Sequence, residues 1–210
     1  MSASPVILYG AGGQAREMKF QLAFEGVSVA AFVDDFNSGF ALEDVPVLSF
    51  EDASTRYGAA IWHVAIGAIA GRKAVVGKLR GNGITVGSFV SARAIISPAA
   101  SVGGAAQIFA NAVVSSGVTL ADNVIVNFGS VISHDVAIGA NSFVAANVTV
   151  AGNVDIGDDV WLGAGAVVRN GTASNRLKIG SYVTVGAAAC VVSDVADHTT
   201  VAGVPAKRKD

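Results

Sequence analysis

A histidine, a carboxylate and a glycine stand at spacings that could support acid–base chemistry. His134 is followed directly by Asp135, and Gly152 comes eighteen residues after His134. An imidazole can accept a proton near neutral pH, and an unscreened backbone N–H can hold the negative charge that develops on an oxygen. If eighteen residues return the chain to the same edge of the fold, His134 and Gly152 meet and form a site suited to acyl transfer.

A six-residue repeat in the second half of the chain predicts how these groups are positioned. An aliphatic residue recurs at every sixth position from Ile96 to Val168, and the count resumes at Ile179, Val185 and Val191. A helix of 3.6 residues per turn does not produce this pattern, whereas short strands separated by turns do. Hexapeptide repeats are typical of a parallel β-helix, here with three hexads in each eighteen-residue coil.

The turns of the repeat add a second signal. The third residue after the aliphatic position is Asn, Asp or Gly at eleven consecutive turns, and these residue types tolerate a positive φ. The eleven are Asn111, Gly117, Asn123, Gly129, Asp135, Asn141, Asn147, Asn153, Asp159, Gly165 and Gly171. We therefore predict an all-β, left-handed parallel β-helix over residues 85–210.

Residues 1–84 follow a different pattern. Apolar strands are expected at 6–9, 29–33 and 61–66, with helical stretches after each of the first two and another at 72–80. Strands that alternate with helices indicate a parallel sheet with right-handed crossovers. The predicted fold class is thus an α/β N-terminal Rossmann-like βαβαβ domain, followed by the β-helix.

A glycine-rich turn follows the first strand. Gly10, Gly12 and Ala15 match the dinucleotide fingerprint in its Gly/Ala form, and Asp34 and Asp35 follow about twenty positions later. Such glycines let backbone N–H groups approach a phosphate at a helix N-terminus. The domain has room for only one mononucleotide-binding half, so a single nucleotide suits it better than a nicotinamide dinucleotide. The alternative is a tight strand–helix turn that binds no ligand.

Composition and cysteine usage exclude several classes of function. The chain has 210 residues, of which 52% are hydrophobic and 14% charged, and its net charge is −2. Its one basic cluster is 207–209, so nucleic-acid binding is not expected. No membrane span or signal peptide is predicted. The three histidines lack metal-ligand spacing, so no metal is expected, and the single cysteine, Cys190, fits a reducing compartment.

The outward positions of the coils predict self-assembly. Two predicted faces of the prism are apolar and the third is polar. Exposed apolar stripes mark interfaces, and two different faces that meet head to tail generate a closed ring, which we predict to be a trimer with Phe128 near its axis. The faces consist of Ile125, Phe143 and Trp161; of Val113, Val131, Thr149 and Val167; and of Ser101, Thr119, Ala137 and Asp155.

The six-residue spacing is interrupted once. Five extra residues between Val168 and Ile179 predict a polar loop within 172–178.

The motifs together resemble those of the bacterial sugar O- and N-acyltransferases. This group includes sialic acid O-acetyltransferases and N-acetyltransferases of nucleotide-linked 4-amino sugars such as bacillosamine and perosamine precursors. The resemblance implies a nucleotide-sugar-binding N-terminal domain, a left-handed β-helix and a homotrimer that binds acetyl-CoA between subunits. The residues that carry it are 10–13, Asp34 and Asp35, Asn127, His134 and Asp135, 151–154, 163–168 and 201–207.

The resemblance also implies roles for individual residues. His134 is similar to the family's general base, Asp135 to its acidic partner and Asn127 to an active-site amide, while the N–H of Gly152 would hold the thioester oxygen. Backbone at Ala164 and Ala187 would line the pantetheine channel. The nucleotide would be held by Gly10, Gly12, Gly13, Asp34, Asp35 and Gly67.

Two positions depart from the family pattern. Gln14 stands where the family usually has a histidine after the glycines, which puts the phosphate or sugar contact in question. Phe143 stands where some members carry a histidine that contributes to acetyl-CoA binding, and its ring would instead pack on pantetheine or on a neighbouring subunit.

The predicted function is that of a cytoplasmic, acetyl-CoA-dependent N-acetyltransferase acting on a UDP- or GDP-linked 4-amino sugar by direct attack. The first alternative is a sugar O-acetyltransferase of the sialic acid type. A non-catalytic β-helix binding module and a nicotinamide-linked oxidoreductase are the others. The sequence leaves open the sugar, the nucleotide and the choice between N- and O-transfer.

Overall fold

The computed structural model describes residues 5–209. The chain divides into two compact units, Met1–Ser88 and Phe89–Asp210. Within the described residues, no helix is long and apolar enough to cross a membrane.

The first unit contains five strands and three helices. In chain order they are β1 (Val6–Tyr9), α1 (Gly13–Phe24), β2 (Val29–Val33), β3 (Phe40–Leu42), β4 (Val45–Leu48), α2 (Phe50–Tyr57), β5 (Ile61–Val64) and α3 (Ile69–Gly81). The sheet order is β3-β4-β2-β1-β5. Strand β1 pairs in parallel with β2 and β5, and β2 pairs in parallel with β4, whereas β3 and β4 are antiparallel.

The Rossmann-like βαβαβ fold predicted for this part of the chain is wrong. The sheet is mixed rather than parallel, because the hairpin of β3 and β4 extends it beyond β2. The hairpin turn consists of Glu43 and Asp44, whose φ angles are 47° and 64°. A two-residue turn with both φ values positive usually carries Asn and Gly. Because an acidic pair stands here instead, the sequence lacks the usual signal of a hairpin.

Apolar side chains on one face of this sheet form a hydrophobic cluster in the first unit. The aromatic rings of Tyr9, Phe50 and Trp62 meet there, with centroids 6.2–6.3 Å apart. Ile7 and Val33 are buried beside them. Because β1 pairs with β2 on one side and β5 on the other, its carboxyl end is held between these two strands.

The second unit consists of short strands without helices among its described residues. They are β6 (Phe89–Val90), β7 (Ile95–Ile96), β8 (Ser101–Val102), β9 (Gln107–Ile108), β10 (Val113–Val114), β11 (Thr119–Leu120), β12 (Ile125–Val126), β13 (Val131–Ile132), β14 (Val136–Ile138), β15 (Phe143–Val144), β16 (Thr149–Val150), β17 (Val154–Ile156), β18 (Trp161–Leu162), β19 (Val167–Val168), β20 (Leu177–Ile179), β21 (Thr184–Val185), β22 (Cys190–Val191), β23 (Thr200–Ala202) and β24 (Lys207–Lys209).

Successive strands enter three sheets in turn, as a β-helix requires. Sheet I contains β7, β10, β13, β16, β19 and β22; sheet II contains β8, β11, β14, β17 and β20; sheet III contains β6, β9, β12, β15, β18, β21, β23 and β24. Val113 pairs in parallel with Val131, which pairs with Thr149, so each coil advances by eighteen residues. The inward aliphatic side chains are buried at nearly every level.

The turn conformations are consistent with a left-handed coil. Ten of the eleven predicted turn residues, from Asn111 to Gly165, have a φ between 56° and 70°. Gly171 is the exception, because the chain leaves the regular coil there. A Cβ built on Gly171 would lie 2.5 Å from the backbone N of Leu177 and 2.8 Å from the Cα of Arg176. Close approach of the returning chain, rather than a positive φ, thus accounts for this glycine.

The predicted polar loop is confirmed. Thr172 and Asn175 exchange backbone hydrogen bonds of 2.9 and 3.1 Å and close a tight turn. After it, Val154 pairs with Leu177, and Trp161 pairs with Thr184, so the spacing across this level is twenty-three residues instead of eighteen. The insertion is therefore absorbed at one turn, and the strands beyond it keep their place in the sheets.

One of the two predicted apolar faces is not exposed. Within the single chain, Ile125 is 0% and Phe143 is 4% exposed. The expectation that they face a neighbouring subunit is therefore wrong, because outward orientation on the coil does not ensure exposure. On sheet I, by contrast, Val113 and Val131 are half-buried and Val167 is 42% exposed.

The last strand differs from all others in the second unit. Strand β24 pairs antiparallel with β23 at the edge of sheet III, and its residues Lys207, Arg208 and Lys209 are exposed.

Candidate active site

His134 and Asp135 form the turn between β13 in sheet I and β14 in sheet II. Asp135 takes a φ of 57°, and its backbone N–H donates to the carbonyl of Ser116, one coil earlier, at 3.0 Å. The distance from His134 Nδ1 to Asp135 Oδ2 is 2.9 Å, and the two side chains are 59% and 56% exposed. A carboxylate that accepts from Nδ1–H holds the imidazole in the tautomer whose Nε2 can accept a proton.

Gly152 lies directly against the imidazole, one coil later. A Cβ built on this glycine would lie 2.5 Å from His134 Nε2 and 3.0 Å from Cδ2. With the imidazole in this place, its ring occupies the space that any larger side chain at position 152 would take. Among residues 5–209, nothing accepts a hydrogen bond from the Gly152 N–H. The eighteen-residue spacing thus brings together a base and an available donor.

Asn127, Ala164 and Ala187 lie on a different edge of the β-helix. Asn127 follows β12, on the turn from sheet III to sheet I, and its Oδ1 accepts the N–H of Phe128 at 2.7 Å. Ala164 and Ala187 are exposed on the same edge, where the Ala164 carbonyl accepts the N–H of Ala188 at 2.9 Å. Within one chain, the structure does not bring these three residues to His134.

Phe143 lies in β15 on sheet III. Its ring stacks on that of Trp161, with centroids 4.3 Å apart and an interplanar angle of 8°. This packing and its burial account for an aromatic residue at this position.

A cavity of about 580 Å³ opens in the first unit at the carboxyl ends of β1, β2 and β5. Around it the structure brings together all the residues predicted to contact a nucleotide, which are Gly10, Gly12, Gly13, Gln14, Asp34, Asp35 and Gly67. Tyr9, Phe36, Ile66 and Lys78 also line it. The lining thus combines apolar surface with a few polar groups, as small-molecule sites usually do.

The two neighbouring aspartates have different surroundings. Asp34 Oδ1 accepts the backbone N–H groups of Phe36 and Asn37 at 2.8 and 3.0 Å and so shapes its own loop. Asp35 Oδ2 instead accepts from the Lys78 ammonium at 2.7 Å and from the Tyr9 hydroxyl at 2.5 Å. Lys78 also donates to the Tyr9 hydroxyl at 2.9 Å and stands 4.1 Å from the centroid of the Phe50 ring.

These contacts perturb both acids of the cluster. Burial alone would raise the pKa of the Asp35 carboxyl, but the hydrogen bonds from Lys78 and Tyr9 outweigh it, so the pKa lies below its ordinary value. Burial, together with the hydrogen bond donated to Asp35, raises the pKa of Tyr9 to about 12. At neutral pH the cavity therefore presents a fixed carboxylate and a neutral phenol.

The glycines of the turn after β1 occur there for different physical reasons. Gly10 has a φ of 123°, and a Cβ on it would lie 2.5 Å from the carbonyl oxygen of Ala65, so the fold itself requires this glycine. Gly12 and Gly13 have no heavy atom within 4 Å of a built Cβ. They begin α1, whose first N–H groups face the cavity, an arrangement that suits a phosphate. The buried Nε2 of Gln14, in the first turn, has no hydrogen-bond partner among the described residues.

Sequence reasoning missed several residues at both sites. Lys78 lies on α3 and Tyr9 ends β1, and neither belongs to a motif. The buried Arg72 donates to the carbonyls of Ile66 and Gly67 at 3.3 and 2.9 Å and supports the loop beside the cavity. Arg176 lies in the predicted loop, whose irregular spacing was the available signal. Among the residues described, no group of His, Cys, Asp or Glu could hold a metal ion.

Comparisons with known proteins place this geometry in a family. Residues 135–170 match the bacterial transferase hexapeptide (six repeats) family. A histidine-to-asparagine mutant of perosamine N-acetyltransferase from Caulobacter crescentus, crystallised with CoA and GDP-perosamine, is 30% identical to the chain. The match covers 100% of this chain and 98% of that one, with a TM-score of 0.91. The chain belongs to the hexapeptide-repeat transferases.

Two further structures resemble this hexapeptide-repeat transferase. The acetyltransferase domain of PglB from Neisseria gonorrhoeae, in complex with acetyl coenzyme A, is 29% identical, with a TM-score of 0.89 and coverage of 99% of this chain and 100% of that one. WeeI from Acinetobacter baumannii is 25% identical, with a TM-score of 0.72 and the same coverage. No curated protein matches significantly. The predicted family and the predicted enzyme class, an acyltransferase, are confirmed by these matches.

Proposed function

We propose that this hexapeptide-repeat transferase moves the acetyl group of acetyl-CoA to the amine of a nucleotide-linked 4-amino sugar. The observation that carries the proposal is the contact of His134 with Gly152. This contact occurs in a chain that matches, over its whole length, an N-acetyltransferase crystallised with CoA and GDP-perosamine. The function predicted from the sequence is thus supported from two directions.

The geometry of His134 supports general-base catalysis. The sugar amine attacks the thioester carbonyl carbon, a C–N bond forms, and the amine nitrogen becomes acidic. His134 Nε2 accepts that proton while Asp135 holds Nδ1 at 2.9 Å. When the tetrahedral intermediate collapses, the C–S bond breaks and the CoA thiolate takes up the proton. The products are an N-acetyl sugar and CoA, with no acyl-enzyme.

The Gly152 N–H supplies the complementary electrostatic role. As the carbonyl oxygen gains negative charge, a donor already in place stabilises it without reorganisation. Because the glycine lacks a side chain, the imidazole can lie directly against the peptide that carries this N–H. Two turns stacked on successive coils therefore hold the base and the oxyanion donor.

The cavity of the first unit is suited to the nucleotide. The N-terminus of α1 favours the diphosphate, Gln14 lines the cavity in the first turn of that helix, and Asp35 presents a carboxylate. Asp34 shapes the loop, and Gly10 and Gly67 form the walls. In this assignment, Gln14 stands where the resemblance implies a histidine.

Loss of the Asp35 carboxylate should weaken nucleotide-sugar binding selectively. We expect Asp35→Ala to raise KM for the sugar nucleotide about 10- to 100-fold, since a hydrogen bond to a charged group contributes about 1.5–3 kcal/mol. KM for acetyl-CoA should remain unchanged, and steady-state kinetics with each substrate varied would measure both. Glu43→Ala, which removes an exposed acid of the same unit outside the cavity, is the control. Tighter binding of NAD(H) than of any sugar nucleotide in calorimetry would contradict the assignment.

A homotrimer completes the proposed site. The base on one subunit and the chain segments at Asn127, Ala164 and Ala187 lie on different edges, so a neighbouring copy would bring them together around acetyl-CoA. The partly exposed apolar stripe of sheet I, with Val131 at its middle, is the surface proposed for this contact. Cys190, which is free, fits a reducing compartment, and we propose that the enzyme is cytoplasmic.

A charge on this stripe should dissociate the trimer. Val131→Asp would place an unpaired carboxylate in the contact, a costly burial. We expect the mass from multi-angle light scattering to fall from three chains to one, with activity reduced. Thr119→Asp, on the polar outer face of sheet II, should leave the mass unchanged. A monomeric wild-type enzyme, or a fully active Val131→Asp monomer, would contradict this assembly.

The chemistry itself is tested by release of CoA thiol. The purified protein and acetyl-CoA would be incubated with UDP-, GDP- and dTDP-linked 4-amino sugars, each matched by the 4-hydroxy analogue. Thiol release with an amino sugar, and an acetamide in the product by mass spectrometry, is the expected result. Acetylation of the hydroxy analogues at an equal rate would indicate an O-acetyltransferase, and no release with any acceptor would contradict the proposed function.

A further inference from the structure

The loop that interrupts the hexapeptide repeat returns to the proposed catalytic turn. Its last residue, Arg176, binds Asp155 on sheet II, with Nε 2.8 Å from Oδ2 and one terminal nitrogen 2.6 Å from Oδ1. The same terminal nitrogen donates to the backbone carbonyl of Asp135 at 2.7 Å and to that of Val154 at 3.2 Å. The guanidinium therefore joins the loop, the outer face of sheet II and the carbonyl of the residue beside His134.

The other end of the loop contacts the second proposed catalytic group. The backbone N–H of Gly171 donates to the carbonyl of Gly152 at 3.0 Å, and the N–H of Leu177 donates to that of Asn153 at 3.1 Å. Asn153 in turn donates its N–H to the carbonyl of His134 at 3.2 Å. The two ends of the loop thus hold the Gly152 peptide and the His134–Asp135 turn from the same side.

The chemistry of the contact favours a positional role. An arginine fork that binds a carboxylate through two nitrogens has a defined orientation, which a lysine cannot reproduce. The hydrogen bond to Asp155, together with the charges of Asp155 and Asp135, outweighs the opposing effect of burial and raises the pKa of Arg176 above its usual value. The guanidinium stays charged at every working pH, so the contact does not depend on protonation.

We propose that Arg176 is a positioning residue for the acetyl-transfer step and that residues 172–176 are a strut that fixes the His134–Asp135 turn relative to the Gly152 N–H. The proposal rests on the proposed function of these groups. A strut of this kind affects the distance between base and donor, and a misplacement of about 1 Å at a reacting centre can cost on the order of 10²-fold in rate.

Kinetics of five variants distinguish a positioning role from other roles of Arg176. We expect Arg176→Ala to lower kcat about 10- to 100-fold with KM for both substrates within twofold. Arg176→Lys should recover little, since it restores the charge without the fork, and Asp155→Asn should give a smaller loss of the same kind. Ser174→Ala, at the tip of the loop, should behave as wild type. Deleting residues 172–176 restores a regular hexad and should reproduce the Arg176→Ala rate.

Alternative roles give different results. A raised KM for acetyl-CoA with unchanged kcat in Arg176→Ala would show that the guanidinium binds substrate phosphate and would overturn the proposal. Full recovery by Arg176→Lys would show that charge alone matters and would overturn it as well. Wild-type kcat in Arg176→Ala, folded by circular dichroism, would leave the strut without a role.

Hydrogen exchange tests the strut without reference to activity. In Arg176→Ala we expect faster exchange at the amides of Asp135 and Gly171, which donate to Ser116 and Gly152 in the wild type, and no change in Ser174→Ala. If His134→Ala remained active, the proposed function of His134 would fail while the exchange result still stood. Unchanged exchange in Arg176→Ala would overturn the strut itself.

Discussion

We expect His134→Ala to lower kcat by about 10²- to 10⁴-fold, the range typical of the loss of a general base. The side chain stands on a turn and is 59% exposed, so the β-helix should keep its thermal stability and its assembly. Stopped assays of CoA release at saturating substrates would measure the effect. An amine that is already unprotonated at the working pH needs less help from a base than a hydroxyl does, so the loss should be smaller than for a hydroxyl acceptor.

Two companion variants sharpen this result. Asp135→Asn keeps a residue type that tolerates a φ of 57° and should reduce kcat only through the lost carboxylate. His198→Ala removes another exposed histidine at a turn of positive φ, one that stacks on Tyr182 rather than contacting a glycine of the next coil. It should leave kcat unchanged. Turnover of His134→Ala close to that of the wild type at pH 7 would remove His134 from the mechanism.

Gly152→Ala should be nearly as damaging, on the order of 10²- to 10³-fold in kcat, the range found when an oxyanion donor is removed. The added methyl would lie 2.5 Å from His134 Nε2, so the imidazole must move, and the methyl also screens the N–H from the thioester. Steady-state kinetics would show a loss in kcat with little change in KM for the sugar nucleotide, whose proposed binding site is the cavity of the first unit.

A double variant shows whether the methyl acts through the imidazole. In His134→Ala the ring is gone, so adding Gly152→Ala should cost much less than it does in the wild type. Gly77→Ala, on α3 with no heavy atom near the built Cβ, is the control for a change from glycine to alanine. Equal and additive losses from the two variants would mean that Gly152 does not act through His134.

The coil register was predictable because it depends on local chemistry alone. A strand buries every second residue, a tight turn demands a residue that tolerates positive φ, and both demands recur six residues later. The pairing of Val131 with Thr149 and the contact of His134 with Gly152 follow from that period. Repetition converts a weak local preference into a firm long-range prediction.

The first unit was less predictable because the strand pairings of its sheet are not indicated by any repeat in the sequence. The hairpin at Glu43 and Asp44 adopts positive φ with residues that seldom do so, and it changes a parallel sheet into a mixed one. The burial of Ile125 was not predicted for a related reason. A repeat determines whether a side chain points into or out of the coil, but not what packs against that side chain. Both the mixed sheet and the burial of Ile125 depend on tertiary contacts that the local sequence does not specify.

The candidate sites show the same division. His134, Asp135 and Gly152 could be predicted from their spacing, and the glycines and aspartates around the cavity could be predicted from a motif. Lys78 and Tyr9 were not, because they reach Asp35 from elements sixty-nine residues apart in the chain. Arg176 could be predicted only in part. The interrupted six-residue repeat indicated its loop, but only the structure shows its contact with the Asp135 carbonyl.

The antiparallel strand β24 has a consequence for how these molecules behave when crowded. A stack of parallel strands ends in unpaired backbone groups that can template another chain, and natural proteins protect such edges with charge. Here β24 turns back on β23 and covers the end of sheet III with Lys207, Arg208 and Lys209. A second molecule that approached this end would meet three cations on a strand of reversed direction. The cap thus opposes fibre-like growth along the coil axis at this end of sheet III.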